Sequence, residues 1–258
     1  MHLDWQIHDG KGPHLLLVHG FLCSRAQWLW NLTVLAEVCR PVTVELWGHG
    51  RSPAPSDPAC YAPDRIVEEF ESIRTALGAE QWFVLGYSLG AGLTIRYALT
   101  HPHRVMGHAF TNSTSGLADA EQIRRWQDEA DETAQRIIAA GQAALERIPV
   151  HPRHATKLPD PLHQALMADA ARLDPTGVAN VLRHTNPNVS VRADVHRNTR
   201  PALLVCGSRE RRFQPHRAFA QATMPCLEIV DIPAGHGVNM EAHEPFNAAV
   251  SSFVRCHT

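Results

Sequence analysis

The stretch Trp82-Phe83-Val84-Leu85-Gly86-Tyr87-Ser88-Leu89-Gly90 constrains the fold more than any other part of this sequence. Its apolar half is a continuous run that reads as a strand buried on both faces. It passes without a spacer into Gly-x-Ser-x-Gly, and Ala91 to Leu99 then reads as a helix stopped by His101-Pro102. A bend this tight holds its central residue in strained backbone angles. Glycines two positions either side allow neighbouring backbone to come close. A strand buried on both faces also needs strands beside it and helices above and below.

The rest of the chain supplies them. Strand patterns fall at Leu3 to His8 (an edge strand), His14 to Val18, Pro41 to Glu45, Val105 to Thr111, Pro201 to Cys206 and Leu227 to Ile232. Helical patterns fall at Ala26 to Val38, at Ala62 to Leu77 with Pro63 in its first turn, and at Glu241 to Val254. This alternation predicts the α/β class: a mostly parallel central sheet with helices on both faces.

From about Ser113 to Asn198 the alternation stops. Asp119 to Arg147, with Ile123, Trp126, Ile137, Ile138 and Leu145 as its apolar positions, reads as helical. Leu162 to Leu173 and Thr176 to His184 read as shorter helices, and Pro149, Pro152, Pro159 and Pro161 separate the pieces. The sequence predicts a core of residues 1–112 and 199–258, with residues 113–198 inserted between core strands as a helical cap. The alternative is that these helices simply continue the core layer.

Charge and cysteine usage narrow the function classes. A net charge of −2 with scattered basic residues provides no concentrated surface for nucleic acid. Six cysteines without a CxxC pair suggest reduced thiols rather than a disulfide framework. No signal-peptide pattern opens the chain, and no apolar run approaches the ~20 residues of a membrane span. The expectation is a soluble, cytoplasmic protein with a small-molecule substrate and neither membrane nor nucleic acid as partner. The pair His101-x-His103 lacks a carboxylate or cysteine at ligand spacing, so no metal or cofactor is expected. The oligomeric state is left open.

Chemistry is concentrated in a few places. Ser88, lifted clear of the sheet by its turn, is the candidate nucleophile, and the Leu89 N–H opens the following helix, where a developing oxyanion is favoured. His19-Gly20-Phe21 follows a strand directly, and the Phe21 N–H is a candidate second oxyanion donor. His19 itself is read as structural. A serine hydroxyl needs a base, and His236, in Gly235-His236-Gly237 after the last strand, stands at the carboxyl end of the sheet where open α/β folds place their sites. The base needs a group to fix its tautomer. Glu210, on the loop after Val205-Cys206, is the candidate. Asp231 is the fallback, although it ends the strand just before His236 and has an awkward approach.

With these residues in place the sequence resembles the lid-bearing α/β-hydrolase superfamily over nearly its whole length outside the cap. The likeness rests on His19-Gly20-Phe21, Trp47-Gly48-His49-Gly50-Arg51-Ser52, Gly86-Tyr87-Ser88-Leu89-Gly90, and Ala234-Gly235-His236 with Glu241 and Pro245 downstream. It implies Ser88 as nucleophile, His236 as base, Glu210 at the acid position, and Phe21 and Leu89 as oxyanion donors. His49 and Arg51 belong to a structural loop in similar proteins and take no catalytic role.

Two departures matter. Family members usually carry Asp at the acid position, and Glu210 is one methylene longer. Relatives that act as SHCHC synthases in menaquinone formation carry Leu-Gly-Gly-Arg after the nucleophile, whereas Leu89-Gly90-Ala91-Gly92 stands here, with Gly92 at the arginine position. Ser rather than Asp at position 88 argues against dehalogenase and epoxide hydrolase chemistry.

The expected activity is hydrolysis of a small, largely uncharged carboxylic ester, lactone or thioester through an acyl-enzyme. Leu22, Tyr87, Phe213 and Val238 are expected beside the acyl group, with Trp126 of the cap above it. A carbon–carbon bond hydrolase, a lyase-type synthase and a triad-retaining small-molecule sensor are the rival readings.

Overall fold

The computed structural model describes all of residues 1–258. In chain order the core elements are β1 (Trp5–Ile7), β2 (His14–Val18), α1 (Leu29–Leu35), β3 (Arg40–Val44), α2 (Pro63–Ala76), β4 (Trp82–Gly86), α3 (Leu89–Thr100) and β5 (Val105–Phe110). Four helices then follow one another with no strand between them: α4 (Ala120–Ala140), α5 (Gln142–Leu145), α6 (Asp160–Ala170) and α7 (Pro175–Asn180). The core resumes with β6 (Ala202–Gly207), α8 (Gln214–Thr223), β7 (Leu227–Ile232), α9 (Val238–Glu241) and α10 (His243–Cys256).

The strands form one seven-stranded sheet in the order β1-β3-β2-β4-β5-β6-β7. Only the edge pair β1–β3 is antiparallel, and every other neighbour is parallel. Side-chain parity sorts the core into layers, because successive strand residues face opposite sides. Leu15 and Leu17 join Phe83, Leu85, Leu203 and Val205 beneath Phe246, Val250 and Phe253 of α10. Leu16 and Val18 point the other way, toward Ile66 and Phe70 of α2 and Leu93 and Tyr97 of α3. The strand β7 lies at the sheet edge and alternates in burial, as a half-solvated strand should.

Helix α2 starts at Pro63, where the missing N–H costs nothing, and buries Ile66, Phe70 and Ile73 on one stripe. The helical stretch between β5 and β6 does not stand apart from the core. Leu162 and Leu166 of α6 pack with Trp28 and Phe246, while Ala134, Ile137, Leu173 and Val178 enclose Leu22.

Two helices differ from the sequence expectation. The helix α8 carries only Ala220 as a buried residue, so no apolar stripe announced it. The expected final helix is α10, and the single turn α9 before it has no counterpart in the sequence expectation.

Candidate active site

The turn between β4 and α3 places Ser88 at φ 53° and ψ −115°, a region costly for any residue with a side chain. Three features hold it there. A Cβ on Gly86 would overlap the Gly90 carbonyl and Thr94, and one on Gly90 would crowd the Val18 and His19 carbonyls. The Ser88 N–H donates to Thr111 Oγ1 (3.3 Å), and Ser113 Oγ donates to the Ser88 carbonyl (2.6 Å). Thr111 and Ser113 follow β5, the neighbour of β4, so the adjacent strand end supports the bend.

Parallel strands deliver the other two groups to the same edge. The loops after β6 and β7 run side by side, because Ser208 N–H donates to Ile232 O and Arg209 N–H donates to Ala234 O (both 2.9 Å). Ser88 Oγ lies 3.0 Å from His236 Nε2, and His236 Nδ1 lies 2.9 Å from Glu210 Oε2. An ionised carboxylate only accepts hydrogen bonds, so Nδ1 carries the proton and Nε2 is free to take one from Ser88. Burial pushes the Glu210 carboxyl up, but hydrogen bonding to His236, its charge and hydrogen bonding to Asn112 outweigh that and leave it below its ordinary 4.5.

Asp231 is occupied elsewhere. Its two oxygens accept from Arg217 Nε (2.8 Å) and Nη2 (2.5 Å), a bidentate pair on the outer side of the sheet edge.

The loop Gly20–Cys23 has a telling pattern of donors. Gly20 N–H donates to Gln27 Oε1 (3.2 Å), Leu22 N–H to His49 Nε2 (3.2 Å) and Cys23 N–H to Gly20 O (3.1 Å). Phe21 N–H alone is left without a partner in the chain. Leu22 sits at φ 59°, a second strained residue. Leu89 opens α3, where a backbone N–H has no intrahelical acceptor.

His19 and His49 are supports. His19 Nε2 accepts from Leu46 N–H (3.0 Å) and its Nδ1–H donates to Gly20 O (2.7 Å). His49 Nδ1–H donates to Trp47 O (2.9 Å) while Nε2 holds Leu22. Burial lowers His19 to about 4, and burial with repulsion from His19 lowers His49 to about 3, so both are neutral at pH 7. The Arg51 guanidinium faces Glu45 and Asp169, away from the reacting groups.

The expected substrate-facing side chains divide. Tyr87 packs edge-on against the His236 ring with centroids 5.2 Å apart, and Phe21 is partly exposed beside buried Leu22. Trp126 is half-buried on α4, on the stripe of Ala130, Ala134 and Ile137. Phe213 and Val238 are corrections. Each has 0% of its surface exposed and is packed inside the core, Phe213 with Leu204 and Cys206, Val238 with Val205 and Phe246, so neither presents a face to a ligand.

Asn112 escapes the sequence reading, which gives Glu241 no role. Asn112 donates to Glu210 Oε2 (2.7 Å), and Glu241 accepts from the N–H groups of Gly235 (2.7 Å) and Gly237 (3.1 Å), clamping both sides of His236. The available signal was the polar run Thr111-Asn112-Ser113 at the carboxyl end of a buried strand. At Gly92 a Cβ would sit 2.9 Å from Val189 and 3.0 Å from the Gly116 Cα, so α3 is packed tightly there.

Comparison with known proteins agrees with this architecture. The model of the alpha/beta hydrolase fold family matches residues 13–243. A Bacillus subtilis protein named provisionally as a 2-succinyl-6-hydroxy-2,4-cyclohexadiene-1-carboxylate synthase is 27% identical over 255 residues, 95% of this chain and 92% of its own length. Among solved structures, MenH from S. aureus superposes with a TM-score of 0.86 at 17% identity, covering 98% of each chain. The enol-lactonase from Burkholderia xenovorans superposes with a TM-score of 0.76 at 20% identity, covering 98% of this chain and 96% of that one.

Proposed function

The chain belongs to the alpha/beta hydrolase fold family, and from that premise we propose that it is a serine hydrolase of small, largely uncharged esters, lactones or thioesters. One observation carries the reading: the continuous relay from Ser88 Oγ through the His236 ring to Glu210 Oε2, with steps of 3.0 and 2.9 Å.

In this mechanism Ser88 Oγ attacks the carbonyl carbon as His236 Nε2 takes its proton. The Phe21 and Leu89 N–H groups receive the oxyanion. Collapse of the tetrahedral intermediate expels the leaving group, which takes the proton from His236. Water, activated by the same imidazole, then releases the acid and frees Ser88. Glu210 keeps Nδ1 protonated and stabilises the imidazolium. The helical stretch 113–198 acts as a lid: Ile137, Leu173 and Val178 pack on Leu22, and the partly exposed Phe21 borders that cluster.

The apolar side chain of Phe21, partly exposed, and the uncharged Tyr87 ring against His236 support a neutral substrate. The packing at Gly92 supports it too, since an arginine there would need Val189 and Gly116 to move. No helix is long and apolar enough to cross a membrane, and six unpaired cysteines fit a reducing, cytoplasmic setting.

A second reading is lyase-type synthase chemistry with the same triad, favoured by the near full-length match to the Bacillus subtilis protein. A panel of chromogenic esters, thioesters, lactones and vinylogous diketones separates the two, with Ser88→Ala as control. Ester or lactone turnover that falls by at least ~10³ in the control is expected. Equal turnover by that variant would end the serine mechanism.

A further inference from the structure

The geometry points to Asn112 as the positioning residue that lets a glutamate serve as the triad acid. Asn112 is fully buried at the end of β5, and its amide is read at both ends by one residue of the neighbouring strand. Asn112 Oδ1 accepts from Gly207 N–H and Asn112 Nδ2 donates to Gly207 O, both at 3.0 Å. Those two contacts fix which end of the amide is which. The remaining Nδ2–H has one direction to go, and it meets Glu210 Oε2 at 2.7 Å.

That oxygen is the one that accepts from His236 Nδ1. The side chain of Glu210 has one rotor more than aspartate, so its carboxylate has more places to be. Its backbone is held by a tight turn, with Glu210 N–H donating to Gly207 O at 3.2 Å and Phe213 N–H donating to Glu210 O at 3.1 Å. Gly207 therefore ties the Glu210 backbone directly, and the Glu210 carboxylate through Asn112, to one point of the sheet. The extra methylene is accommodated without losing the contact to His236. Glu210 Oε2 has Asn112 Nδ2 on one side and His236 Nδ1 on the other, and no other hydrogen-bond partner in the chain.

This role rests on the serine-hydrolase reading, so the test uses a readout that does not depend on the natural substrate. The rate at which a fluorophosphonate labels Ser88 reports nucleophile activation: the serine oxygen bonds phosphorus, fluoride leaves, and His236 takes the proton. In the full-length protein, Asn112→Ala is expected to slow labelling by about 10- to 100-fold, the range a misplacement of about 1 Å costs. In a Glu210→Gln background the same change should cost less than about threefold, because residues acting through one another are not additive. A merely structural asparagine would slow both backgrounds equally.

Asn112→Ser removes the Nδ2 donor without adding a charge beside Glu210, and provides the same comparison if the alanine variant does not fold. Labelling as fast as the parent in a folded variant, or full additivity with Glu210→Gln, would overturn the assignment. A parent that never labels would overturn the serine-hydrolase reading, and the role of Asn112 with it.

Discussion

Gly207 and Gly235 meet backbone to backbone, so closely that a Cβ on Gly207 would overlap the Gly235 carbonyl oxygen. The first belongs to the turn that carries Glu210 and the second precedes His236. Their contact sets the spacing between acid and base. Gly207→Ala should push the loops apart, cutting kcat/KM by about 10² and destabilising the protein by about 1–3 kcal/mol as an overpacked site. Ester turnover and thermal melting measure the two effects, and an unimpaired Ala variant would show that the contact is not required.

The two carboxylates near the sheet edge make opposite predictions. Glu210→Gln should lower kcat by ~10²–10⁴, as triad acids do. Asp231→Asn should leave turnover within about threefold, because it loses only a half-exposed pair with Arg217. If the Asp231 variant is the damaged one, Glu210 is not the acid.

Glu241 offers a milder test. It is exposed, yet both its carboxylate oxygens hold N–H groups of the His236 loop. Glu241→Ala should reduce kcat/KM by about 10-fold or more through loss of loop alignment, with little change in melting temperature. Glu241→Gln, which retains an acceptor, should fall between the two. Loss of stability without loss of rate would contradict the clamp.

Acid stability follows from buried imidazoles. Burial lowers His19 and His108 to about 4, and burial with His19 repulsion lowers His49 to about 3, against 6.5 when exposed. Below pH 6.5 the unfolded chain binds protons that the folded chain refuses. Stability therefore falls as pH falls below 6.5, until the folded sites titrate near 3 to 4. Glu210 acts at lower pH: its carboxyl is depressed when folded, so its contribution is present above 4.5 and lost as pH drops through its folded value. A melting temperature that stays level from pH 6.5 to 4.5 would mean these histidines are not held neutral.

Much of the fold was legible because its signals are local. The buried strands β2, β4 and β6 announce themselves as apolar runs, and Ser88 is identified by the strand and helix that flank it in the chain. The helix α8 was not legible, since one buried alanine leaves no periodic stripe to read. Phe213 and Val238 are expected beside the acyl group and lie close in sequence to Glu210 and His236. The structure turns both into the core, because proximity along the chain does not fix which face a side chain takes.

By itself, then, the sequence determined the sheet, the strained bend at Ser88 and the histidine loop, since each depends on residues a few positions apart. Only the tertiary structure chose Glu210 over Asp231, left Phe21 N–H as the unspent donor and joined Asn112 to the acid. Those outcomes depend on which strands are neighbours and in what register. Ser88 and His236 are 148 residues apart, and Asn112 and Glu210 are 98 apart. No local propensity reaches that far, and the partners are selected by the packing of parallel strand ends.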